Sequence, residues 1–194
     1  DAKIFGGFGL EYDDSTLQAL LYAGIPTDTA IFKRNIGKLY FSDDEVRESA
    51  DLLGGTAWVN QAATKAHFLQ HLGQYKILHL AMHGLLNAKA PMQSALVFAH
   101  SSQSPDFKLR LAEIFGLEIP AQLVVLSACN TYDGPSVPGE GLHSLALAFA
   151  HAGCPSIIAN QWSASDQASK ELLLGFYKYL KQGLPKDEAL QRTK

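Results

Sequence analysis

Two short runs, Tyr75–Met82 (YKILHLAM) and Gln122–Cys129 (QLVVLSAC), are apolar at nearly consecutive positions rather than at alternate ones. A strand with one wet face alternates. A strand that is apolar throughout needs cover on both faces, which a parallel sheet between layers of helices provides. Pro155–Asn160 (PSIIAN) repeats this character, and Ile4–Phe8 is plausible as a first strand. Helical patterns lie between the runs. Over Ser42–Leu53, Val46, Ala50 and Leu53 share one face, Ser42 and Glu45 have capping-box spacing, and Gly54-Gly55 ends the helix. A second helix covers Ala62–Leu72. A third opens at Pro138-Gly139-Glu140, buries Leu142, Leu145 and Phe149, and stops at Gly153. A fourth covers Ser163–Gly183, with Leu172, Leu173, Phe176, Tyr177 and Leu180 inward. Ser94–His100 and Phe107–Leu111 read as a hairpin around a polar loop. Strands alternating with helices predict an α/β fold of three layers, α/β/α, with a mainly parallel central sheet and a small hairpin insertion. Residues 9–39 mix Gly, Asp and Thr with apolar residues, and they read as an irregular or partly helical insertion.

The 194 residues, 47% of them hydrophobic and 18% charged, suit one domain with a substantial core. A net charge of -3 leaves no broad basic face for phosphate, so nucleic acid is not an expected partner; the cluster Lys178, Lys181, Lys186 reads as solvated surface. Two cysteines make no disulfide framework, which points to a reducing, cytoplasmic setting. No basic-then-apolar leader is visible, and no apolar stretch is long enough to span a bilayer, so no membrane partner is expected. The chain starts at Asp1 and ends at Lys194 within a helical pattern, as expected for a piece of a longer protein.

Open parallel sheets place their sites at the carboxyl ends of strands. Two of the apolar runs end in residues capable of chemistry: one at His83, followed by Gly84, the other at Cys129, 46 positions further on. Strand tips that neighbour each other can meet whatever their separation in sequence. A cysteine attacks carbonyl carbon as thiolate. An imidazole within reach can take the thiol proton and return it to a leaving amine. The backbone N–H groups of Gly84 and Cys129 are candidates to hold the developing oxyanion, and Gly84 permits close approach of substrate backbone.

The strings HLAMHG (79–84), LSACNT (126–131), GEG (139–141) and QWSASD (161–166) together resemble the CHAT domain, a family in the caspase–separase–gingipain superfamily of cysteine peptidases. The four motifs occur in order, and the resemblance covers about residues 40 to 194. It implies a caspase-like fold with His83 and Cys129 as a catalytic dyad, and a histidine about 50 residues before the cysteine is the caspase order. It further implies a largely bacterial, intracellular setting, an association with tetratricopeptide repeats outside this chain, a regulatory partner or repeat region, and a protein or peptide substrate. No cofactor is implied. In separase-like relatives the acid of a Trp-x-x-x-Asp segment recognises the substrate's P1 side chain. Carried over, Asp166 favours Arg or Lys at P1. The alternative for Asp166 is a capping box with Ser163. Several members of the superfamily carry an acid two residues before the nucleophile, where this chain has Ser127, a second candidate pocket residue.

Other readings are weaker. His79 and His83 stand four apart, but the metalloprotease pattern needs Glu where Leu80 stands, and the segment reads as strand. A cysteine phosphatase needs Arg where Pro135 stands, and no Gly-x-Ser-x-Gly or phosphate-loop string occurs. His79 and Cys154 read as core, His143 and His151 as helix surface or packing, and Glu140 as a cap. The competing function is a caspase-like scaffold or sensor that does not cut.

Overall fold

The computed structural model describes residues 2–12, 14–22, 38–87, 90–101, 105–127, 130–133, 140–160 and 165–194. Five parallel strands form the central sheet: β1 (Lys3–Gly9), β2 (Thr56–Val59), β3 (Tyr75–Ala81), β7 (Leu123–Leu126) and β9 (Ile157–Ala159), in the order β2-β1-β3-β7-β9. β4 (Gly84–Asn87), β5 (Ala95–Val97), β6 (Lys108–Arg110) and β8 (Asn130–Asp133) make a second sheet ordered β6-β5-β4-β8. The expected hairpin is the antiparallel β5–β6 pair within it. The helices are α1 (Asp14–Tyr22), α2 (Ser42–Leu53), α3 (Lys65–His71), α4 (Leu111–Ile114), α5 (Glu140–His151), α6 (Asp166–Lys181) and α7 (Lys186–Arg192).

Successive residues of a strand point to opposite faces, and both faces of this sheet are dry. Ile77, Leu123 and Val125 join Phe5, Leu53, Leu173 and Phe176 in one apolar core. Their neighbours Leu78, Val124 and Leu126 join Phe8, Phe68, Leu145 and Phe149 in the other. Two cores on either side of one sheet make the three layers, and they explain why β3 and β7 are apolar without alternation.

Helix α2 comes unusually close to the sheet. A Cβ on Gly9 would lie 2.6 Å from the Ser42 carbonyl oxygen, and one on Gly7 2.7 Å from Val46 Cγ1. Only bare backbone on β1 lets the helix sit there. The helix stops as expected, with Gly54 left-handed at φ 71° and its N–H on the Ala50 carbonyl. Its start differs from expectation. Ser42 donates instead to the Leu39 carbonyl at 3.0 Å, no side chain caps the helix, and Glu45 turns inward.

The expected second helix is shorter, Lys65–His71, capped by Thr64, which accepts from the His67 N–H at 3.1 Å. The fourth begins at Asp166 with Ser165 as its cap, accepting from Ala168 N–H. Cys154 is buried, as expected of a core thiol, and its Sγ lies 3.2 Å from the Ser156 carbonyl. The His151 ring packs edge-on against Phe115. The side chain of His143 lies outside the described residues. The unassigned 9–39 stretch contains α1; residues 23–37 lie outside the described residues.

Candidate active site

His83 stands where the chain leaves the central sheet for the second one, between the end of β3 at Ala81 and the start of β4 at Gly84. It is 1% exposed. Its backbone is held on both sides. The N–H donates to the Tyr12 hydroxyl at 2.6 Å, and the carbonyl accepts from the Val97 N–H at 3.0 Å. The Tyr12 hydroxyl in turn donates to the Val97 carbonyl at 2.7 Å. The Tyr12 and His83 rings lie 4.4 Å apart at 38°. Burial pushes the Tyr12 phenol well above its usual range, a shift partly opposed by the His83 N–H. The group is therefore a neutral hydroxyl, able to accept and donate at once.

The described residues on either side of position 129 pair with those on either side of His83. Before the two positions, Leu80 of β3 is in register with Leu126 of β7, and the Ser127 N–H donates to the Leu80 carbonyl at 3.0 Å. After them, Gly84 of β4 is in register with Asn130 of β8. The offset is the same on both sides. Cys129 itself lies outside the described residues, and with it the oxyanion role of its N–H. Gly84 is buried between Leu96 of β5 and Asn130 of β8.

The two sequence-predicted pocket residues come together. Ser127 and Asp166 line one small cavity with Ser42, Glu45, Ala81 and Ser169. Its volume, about 10 Å³, is room for a single water molecule. Ser165 does the capping of α6, leaving Asp166 at the first helical position, where its charge suits the helix dipole as well as the cavity. Ser163 lies outside the described residues.

Behind this cavity is a buried polar chain that sequence reasoning missed. His79 is core, as expected, but its Nε2 lies 2.6 Å from Glu45 Oε1 and its Nδ1 2.8 Å from the Tyr177 hydroxyl. Burial, and then the Glu45 charge, hold the Tyr177 phenol well above its usual range. The signal for Glu45 was available. It falls on the same stripe of α2 as Ser42, Val46, Ser49, Ala50 and Leu53, all buried. An acid on an apolar stripe implies a buried partner. Tyr12 had no such signal, because nothing in an irregular stretch predicts which tyrosine folds back. Among the described residues no group of three or more His, Cys, Asp or Glu is placed to hold a metal ion.

The profile of the CHAT domain matches residues 11–194, nearly the whole chain. The chain belongs to the CHAT domain family. This CHAT domain is also similar to two mammalian proteins named tetratricopeptide repeat protein 28. It is 24% identical to the human protein over 212 residues and 25% identical to that of Mus musculus, in each case across 92% of this chain. It spans only 8% and 9% of the length of those proteins. The match joins the CHAT domain to tetratricopeptide repeat proteins, as the motifs implied. The relatives are mammalian, whereas the motif resemblance implied a largely bacterial setting.

Proposed function

We propose that this CHAT domain is a cysteine endopeptidase in which Cys129 is the nucleophile and His83 the general base. The observation that carries the proposal is the matched register around the two positions, Leu80 with Leu126 before them and Gly84 with Asn130 after them. An equal offset before and after the two positions supports a side-by-side placement, as a proton transfer from thiol to imidazole requires. The thiolate adds to the scissile carbonyl and the C–N bond breaks. His83 gives its proton to the leaving amine, then takes one from the water that cleaves the acyl-enzyme. The Gly84 and Cys129 N–H groups hold the oxyanion.

Cleavage follows Arg or Lys in this reading, with Asp166 as the recognising carboxylate. Ser127 supplies no charge, but Glu45 reaches the same cavity and adds to its negative potential. The cavity must widen to admit a P1 side chain. A partner or tetratricopeptide repeats elsewhere in the protein are suited to regulate that step.

A scaffold that does not cut is the second reading, favoured by the 1% exposure of His83. Profiling on a peptide library, with a peptide electrophile to label the nucleophile, separates the two. Cleavage that vanishes in Cys129→Ala while the fold persists supports the peptidase; equal turnover by that variant removes it. No labelling of Cys129, with or without a repeat-containing partner, favours the scaffold.

A further inference from the structure

A general base must present its ring at one angle to a neighbouring sulfur, and misplacement by about 1 Å can cost about 100-fold in rate. His83 is poorly served by its own elements. It lies between two strands and belongs to neither. What holds it comes from elsewhere, and three hydrogen bonds close a ring: His83 N–H to the Tyr12 hydroxyl, that hydroxyl to the Val97 carbonyl, and Val97 N–H back to the His83 carbonyl. One tyrosine oxygen thus fixes the His83 backbone relative to β5, and the ring that carries it lies against the imidazole at 4.4 Å. From this geometry we infer that Tyr12 is the positioning residue of His83, setting the place and the tilt of the imidazole without touching substrate.

The conformation of Tyr12 supports this role. Its φ is +63°, in the left-handed region that bulky residues adopt only where their surroundings over-determine them. Asn60, at φ +50°, is the other non-glycine residue with positive φ among the described residues, and it is tied to the same segment: the Glu11 N–H donates to Asn60 Oδ1 at 3.1 Å. The Asn60 amide reaches on to Asp43 at 3.4 Å. The Leu10 N–H, just before, donates to the Ala81 carbonyl at the end of β3 at 3.1 Å. The chain is turned against its preference and pinned at the two residues just before Tyr12, so that one side chain, 1% exposed, folds back under His83. Burial keeps the phenol neutral, so the hydroxyl plays both hydrogen-bonding parts across the working pH range.

This inference rests on the peptidase reading for its kinetic test but not for its structural one. The test compares the chain with its Tyr12→Phe variant, which keeps the ring and deletes only the hydroxyl. Three quantities are measured below the melting temperature: kcat and KM per titrated active site on a cleaved peptide, the pH profile of Cys129 alkylation by iodoacetamide, and the NMR signals of the His83 imidazole. The expected result is a kcat lower by about tenfold with KM within twofold, a displaced alkylation profile, and shifted His83 ring signals. Wild-type kcat together with an unmoved alkylation profile overturns the inference, as does a kcat loss that disappears once the rate is expressed per folded site. If the wild-type chain neither cleaves peptide nor shows accelerated alkylation at Cys129, the peptidase reading fails on its own. The NMR signals then decide Tyr12 alone: changed ring signals in Tyr12→Phe sustain the positioning role, and unchanged ones end it.

Discussion

Nε2 of His79 lies 2.6 Å from Oε1 of Glu45, with 0% and 3% of the two side chains exposed. The contact joins the middle of the central sheet to the first turn of α2. The Tyr177 hydroxyl on the other ring nitrogen extends it to α6, so one strand and two helices of the same layer meet at one imidazole. Since a carboxylate oxygen only accepts, Nε2 carries the proton shared with Glu45. The Tyr177 hydroxyl, able to donate or accept, is the partner of Nδ1.

Tyr177→Phe therefore leaves a buried ring nitrogen without its partner. A loss of about 1–3 kcal/mol is expected, the cost of an unsatisfied buried polar atom. Urea denaturation at neutral pH measures it. A change below a few tenths of a kcal/mol shows that the hydroxyl contributes nothing there.

The same burial sets an alkaline limit on stability. The Tyr12 and Tyr177 phenols titrate well above 10.0 in the folded chain and near 10.0 when unfolded. Above that pH the unfolded state releases protons that the folded state keeps, so stability is complete below about pH 10 and falls as pH rises further. Urea midpoints between pH 8 and 11 should drop more steeply for the wild type than for Tyr177→Phe. Parallel curves would contradict the assignment.

Lys65 offers a test away from the site. It is 4% exposed, and its Nζ lies 2.6 Å from both Asp106 and Glu113 and 3.0 Å from the Lys108 carbonyl. It thereby fastens α3 to the β6 side of the second sheet. The carboxylates are 63% and 39% exposed, so they regain water when the lysine is lost. Lys65→Met should cost about 2 kcal/mol, with peptide cleavage per folded molecule unchanged. A loss of activity without a loss of stability would show that the second sheet acts on the site directly.

The layout of the fold was legible where physics is local. Unbroken apolar runs marked β3 and β7 because both faces of those strands are dry, and Gly54 marked the end of α2 because only a left-handed residue closes that turn. Some short elements leave no such mark. β2, β4 and β8 have four residues each, too few for a period to emerge. Spacing in sequence makes Glu45 read as a cap, because it shows Ser42 three residues before it and cannot show His79 across the interface. Ser127 and Asp166 are each legible as pocket candidates through motif resemblance, and their meeting in one cavity is not. Nor is the chain that backs their cavity, since it depends on glycines that let α2 approach β1.

Asp166 separates recognition from capping. With Ser165 already capping α6, Asp166→Asn should leave the melting temperature within about 2 °C. It should lower kcat/KM for substrates with Arg or Lys at P1 by about 30-fold, the equivalent of about 2 kcal/mol for a charge-assisted contact. A shift in melting temperature with P1 preference intact assigns the carboxylate to the helix instead.

The dyad is tested most directly by covalent capture. A peptide electrophile ending in Arg is offered to the wild-type chain, to His83→Ala and to Cys129→Ala, together with the repeat-containing partner where one is required, and the labelled residue is located by mass spectrometry. The expected outcome is a label on Cys129 in the wild type, a rate at least 100-fold lower in His83→Ala, and no label in Cys129→Ala. Equal labelling of the wild type and His83→Ala would show that the thiol does not depend on the imidazole and would contradict the assignment.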